Sequence, residues 1–123
     1  MKFEAGKAAM TYVLEGKKAV PCHDIENWGK WFETAFRVVA QDQVADVRIS
    51  TVFLGLDHNF TGLGPPLLFE TMVFHGDDGE QVGRYPTWEA AEAGHQKVLK
   101  ILRMPDPEDD GQGEETNETE EWF

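Results

Sequence analysis

A chain of 123 residues with 41% hydrophobic side chains is long enough for one packed domain and too short for two. Its formal charge of −12 is concentrated in residues 104–123, which hold nine Asp and Glu and no Lys or Arg, so the body before them is only mildly acidic. Neither part has the basic stripe that direct nucleic-acid binding requires. A single cysteine, Cys22, excludes an internal disulfide, the apolar runs are too short to span a membrane, and the first residues lack the apolar core of a signal peptide; a reducing cytoplasm is the expected compartment.

In chain order, the first expected unit is a small hairpin. Residues 9–14 are β-prone, Glu15-Gly16 supplies a turn, residues 17–20 return, and Pro21 ends the strand. Asp24 reads as a helix N-cap. From Ile25 to about Gln41, the residues Ile25, Trp28, Trp31, Phe32, Ala35, Phe36, Val38 and Val39 fall on one broad face at about 100° per residue. Glu26 with Lys30 and Glu33 with Arg37 make favourable pairs on the other face. A helix over 25–41, packed on the core through its tryptophans, is the prediction.

A central hairpin follows, with arms at 47–56 and 67–74 joined by a connection that is long for a hairpin. Asp77-Asp78-Gly79 marks a turn, and residues 81–85 suit a short further strand. Thr87, after Pro86, caps a last helix over 88–103 that lines up Trp88, Ala91, His95, Val98, Leu99 and Leu102 and stops before Pro105 and Pro107. The predicted fold is α+β: a two-layer ββαββα arrangement in which an antiparallel sheet of about four strands is packed by two helices. It forms a single domain over 1–103. Residues 104–123 form an acidic tail of disordered composition ending in Trp122-Phe123. The rival architecture places the same elements in an obligate homodimer, because four Trp and eight Phe are generous for one small core.

Four motifs in fixed order carry a resemblance: Trp28-Gly29-Lys30-Trp31-Phe32-Glu33, the run 51–59 that ends in Asp57-His58-Asn59, the run 67–74 around Glu70, and the run 84–95 that opens on Arg84-Tyr85 and closes on His95. Together they resemble a family of small uncharacterised proteins encoded by tailed bacteriophages and prophages, over roughly residues 12–102. The resemblance implies a phage-type cytoplasmic setting and carries no catalytic assignment.

Among single residues, His95 stands out because it interrupts the apolar stripe of the last helix. A buried imidazole needs partners for its nitrogens, either a backbone carbonyl or a catalytic neighbour. Glu70 lies between Phe69 and Met72 in an otherwise apolar arm. Pairing Leu56 with Leu67 would set Glu70 opposite Phe53 and on one face with Thr51 and Met72, with His95, Arg84 or Tyr85 as its partner. The plainer alternative is a water-exposed edge position or a structural salt bridge. Asp57, His58 and Asn59 at the start of the long connection suit either Asx-turn chemistry or a ligand-facing cluster. Candidate metal ligands are Cys22, His23, His58, His75, His95, Asp57 and Glu70, but none has the spacing of a known metal motif; Asp57 and His58 are the weak candidates, and no cofactor is expected. No nucleophile elbow or phosphate loop is present.

The acidic run closing on Trp122-Phe123 is similar to the C-terminal tips of single-strand-DNA-binding proteins, with Trp122 where those tips carry Pro. That similarity covers the tip alone, and it implies a protein partner with a basic, apolar pocket. Two functional classes follow. One is a non-enzymatic phage-type accessory protein that binds a host or phage protein, or sequesters a small ligand, through the loop cluster or the tail. The other is a small hydrolase or nucleotide-processing enzyme using Glu70, His95, Asp57 and His58, with or without a metal. The two differ in geometry, because an enzyme needs Asp57, His58, Glu70, Arg84 and His95 in one cleft.

Overall fold

The computed structural model describes residues 10–104. In these residues the elements run β1 (Tyr12–Glu15), β2 (Lys18–Pro21), α1 (Ile25–Thr34), β3 (Val38–Val44), β4 (Val47–Phe53), β5 (Phe69–His75), β6 (Asp78–Tyr85) and α2 (Trp88–Arg103). The fold is α+β. Strands β3-β4-β5-β6 form a four-stranded antiparallel meander, and β1-β2 form a separate two-stranded hairpin.

The main departure from the expected elements lies at the first helix. Asp24 caps it as predicted, accepting from the amides of Glu26 and Asn27, but the helix ends at Thr34, Ala35 is extended, and residues 38–44 become β3 rather than the last turns of a helix to Gln41. Val38 and Val39 fit the apolar face of a helix by spacing, yet β-branched side chains suit a strand, and pairing with β4 decides between the two. The two strands turn through Ala45 and Asp46, with Ala45 at φ +56. No glycine or asparagine marks that turn, so the sequence hides it. The element order is therefore ββαββββα.

Register is the second departure. Val52 lies opposite Glu70, and Phe53 opposite Phe69. Beyond Phe53 the chain turns aside: Leu56 bridges to Thr11, and the Asp57 amide donates to the Met10 carbonyl. Leu56 is thus not Leu67's partner in the hairpin. Moving the pairing by one residue reverses the relation between strand faces: Glu70 lies opposite Val52, on the face away from Thr51.

Helix α2 packs across all four strands. Its Thr87 cap accepts from the Ala90 amide, and Ala91, His95, Leu99 and Leu102 are its buried residues. Under its C-terminal half lie Val47, Ile49 and Val73. Under its start lie Phe53, Phe69 and Leu68, joined by Tyr12 from β1. Each such side chain contributes about 1.5–3 kcal/mol by leaving water. Trp31 of α1 meets the edge of Phe53 at 5.9 Å between ring centroids, and Trp88 meets Phe69 at 6.3 Å. Both helices thus reach the core from one side of the sheet. α1 itself buries no residue fully.

Candidate functional site

His95 is completely buried and lies in the middle of a polar chain. Its Nε2 is 2.8 Å from Asp42 Oδ2, and its Nδ1 is 2.7 Å from Thr51 Oγ1. Thr51 Oγ1 is 2.6 Å from Thr71 Oγ1, and the Tyr85 hydroxyl donates to Thr71 Oγ1 at 3.0 Å. A carboxylate only accepts, so Nε2 carries a hydrogen, and Nδ1 of a neutral ring accepts from Thr51. Thr51 then accepts from Thr71, which accepts from Tyr85. Every proton in the chain points one way, from β6 through β5 and β4 to α2, and the ring in turn donates to β3. Thr51 and Thr71 are fully buried, while Asp42 at the edge strand is partly open to water.

The partners of His95 are thus neither Glu70 nor a backbone carbonyl. Asp42 was hidden because it follows directly on the expected helix over 25–41 rather than falling in an expected strand. In β3 it pairs opposite Ile49, on the face turned toward α2. The Asp42–His95–Thr51 order has the topology of a hydrolase triad, but Thr51 is sealed beneath α2 and shares its hydroxyl with Thr71. A nucleophile needs a substrate atom within about 3 Å, and Thr51 offers no approach for one.

Glu70 and Arg84 lie on the opposite face of the sheet, where Arg84 Nε donates to Glu70 Oε1 at 2.9 Å. On the same face the Arg48 guanidinium sits 4.2 Å from the Phe74 ring centroid. The sheet itself separates Glu70 from His95.

Asp57, His58 and Asn59 lie beyond the end of β4, at the start of the 57–67 connection. Asp57 is 2% exposed, and its Oδ1 accepts from the Asn59 amide at 2.8 Å and the Leu67 amide at 3.0 Å, which closes the connection at its base. Asn59 Nδ2 donates to the carbonyls of Leu63 and Pro65, and its Oδ1 accepts from the amide and hydroxyl of Thr61. His58 Nδ1 lies 3.0 Å from the Leu56 carbonyl, the arrangement of a donated N–H. With these polar groups turned onto the loop's own backbone, the large apolar ones face outward: Phe60 is 77% exposed and Leu63 78%. Among the described residues, no group of three His, Cys, Asp or Glu is placed to hold a metal.

Tyr85 opens onto a third place. Between β6 and the flank of α2 runs a groove of about 760 Å³, lined by Val73, Val82, Tyr85, Gly94, Val98 and Ile101 among others, with His75, Glu80 and Lys97 at its polar positions. The Tyr85 ring lies against Gly94 and Gly83 so closely that a Cβ at either would overlap it. This explains a glycine inside α2, where it costs about 1 kcal/mol relative to alanine. A cavity of about 540 Å³ separates the β1-β2 hairpin from the start of α2. Trp88 lines it, and the Trp88 indole N–H is buried with no acceptor among the described residues.

The structure thus joins Tyr85 to His95 through Thr71 and Thr51, pairs Glu70 with Arg84, and keeps Asp57, His58 and Asn59 in a separate loop. Trp122 and Phe123 lie outside the described residues. Thr51, Thr71 and Asp42 went unrecognised as partners of His95; two threonines at the centres of apolar strands were the available signal. No protein-family profile matches the chain, and neither a curated protein nor a solved structure matches it.

Proposed function

We propose that the protein is a non-enzymatic accessory protein of the phage type, acting in the host cytoplasm, and that it binds another protein through the 57–67 loop. The observation that carries this reading is the division of labour in that loop. Asp57 and Asn59 hold its backbone, while Phe60 and Leu63 stand almost fully in water. An aromatic and an aliphatic anchor fixed before contact lose little freedom on binding, and such anchors dominate interface energies. The phage setting rests on the resemblance of the ordered motifs. The cytoplasm rests on the single cysteine and on the lack, among the described residues, of a helix long and apolar enough to cross a membrane. What favours binding over hydrolysis is that Glu70 and His95 lie on opposite faces and that Thr51 is closed to substrate.

The test is affinity capture with the full chain, followed by a titration against the purified captured protein. Phe60→Ala with Leu63→Ala should weaken binding at least about tenfold, the scale of a lost hot spot, with an unchanged unfolding midpoint. Asp57→Ala, which keeps both anchors but releases the base of the loop, should weaken it as well. Retained affinity in the double variant overturns the proposal.

A further inference from the structure

The groove between β6 and α2 has an apolar floor, one lysine in its lining, and one carboxylate, Glu80, together with His75 on the strand side. Val82 and Ile101 are 42% and 54% exposed there, an apolar surface that the described residues leave uncovered. Lys97 in the groove has no ion-pair partner among the described residues, in a chain of net charge −12, while Lys100 and Arg103 of the same helix line a separate pocket with Gln96, Leu99 and Met104. The chain leaves α2 at Met104 in an extended conformation, beside Ile101 and Leu102, which line one end of the groove. Beyond that point lie residues 105–123, whose acids are uninterrupted by any Lys or Arg and which end on Trp122-Phe123.

We infer that the groove is the docking site of this chain's own C-terminus, with Trp122 and Phe123 seated on its apolar floor. Reach is ample: α2 is 16 residues long and so spans about 24 Å, whereas residues 105–121 can extend to roughly 55 Å. The aromatic pair covers Val82, Val98 and Ile101, and the terminal carboxylate meets Lys97 on the wall away from Glu80. Tethering raises the local concentration of the pair to the millimolar range, so modest intrinsic affinity suffices. A partner with a basic apolar pocket then competes with the groove for the same two residues. This inference does not depend on the 57–67 loop as a contact surface.

The test uses isotope-labelled full chain. Trp122→Ala with Phe123→Ala should shift the amide resonances of Val82, Gly83, Gly94, Lys97, Val98 and Ile101. Ile101→Glu, at an exposed position that the fold tolerates, should shift the resonances of Trp122 and Phe123. A synthetic peptide of residues 114–123, added to the double variant, should restore the native positions of the groove resonances. Its affinity should fall about tenfold in a further Lys97→Glu variant, equivalent to roughly 1.4 kcal/mol. Shifts confined to residues 105–123 overturn the inference, as does equal restoration by a peptide lacking the two aromatics. Groove shifts that vanish on dilution, in step with loss of a dimer in sedimentation, assign the occupant to a second copy and overturn the intramolecular form.

Discussion

The two faces of the four-stranded sheet carry polar side chains under opposite conditions. On the face beneath α2, Asp42, Thr51, Thr71, Tyr85 and His95 form one chain in which each hydroxyl both donates and accepts, except Tyr85 at its start. On the other face, Glu70 with Arg84 and Arg48 with Phe74 make separate pairs, the Arg84 side chain 33% exposed and that of Glu70 15%. Neutral groups with complete hydrogen bonding can be sealed at little net cost, while a charged member of each set, Asp42 on one face and Arg84 on the other, keeps contact with solvent. The difference teaches that the polar residues most suggestive of chemistry on this chain are divided by the sheet. One set organises the core, and the other decorates a surface.

The largest expected effect is His95→Ala. It removes a fully buried ring and leaves Thr51 without its acceptor, so denaturant unfolding should show a loss of about 3–5 kcal/mol. A loss under about 1 kcal/mol would break the contrast between the faces. Next comes Gly94→Ala. On a free helix the change stabilises by about 1 kcal/mol, but here the new methyl meets the Tyr85 ring. Overpacking of this kind typically costs 1–3 kcal/mol, so the thermal midpoint should fall; a rise would mean that the ring moves aside easily. The smallest effect belongs to the other face. A double-mutant cycle on Glu70→Gln and Arg84→Gln should give a coupling of about 0–1 kcal/mol, reduced further by salt. A larger coupling would mean that this face is covered in solution.

Legibility in the sequence followed the number of competing readings at each place. Helix α2 was plain because the Thr87 cap, the spacing of Ala91, His95, Leu99 and Leu102, and the stop before Pro105 all agree. The start of α1 was plain for the same reason. β3 was hidden because Val38 and Val39 satisfy a helical and a strand pattern equally, and because the turn at Ala45 lacks the usual residues. That miss concealed Asp42, and with it half the surroundings of His95. The one-residue register error put Glu70 on the wrong face, since no local signal reveals that Leu56 pairs with Thr11. In the long connection, Asp57 and Asn59 were recognisable as turn residues. That Phe60 and Leu63 are what they display followed only from the closed loop.

The polar chain under α2 also bears on the order of folding. His95 is 44 residues from Thr51 and 53 from Asp42, so both contacts tie α2 to strands far away along the chain. Contacts that close such long loops tend to form late. His95→Ala should therefore speed unfolding and leave the folding arm of a stopped-flow chevron nearly unmoved. A slowed folding arm would place the helix in the nucleus. On this account the network acts as a latch on a sheet already assembled, and it governs how long the native state lasts more than how quickly it is reached.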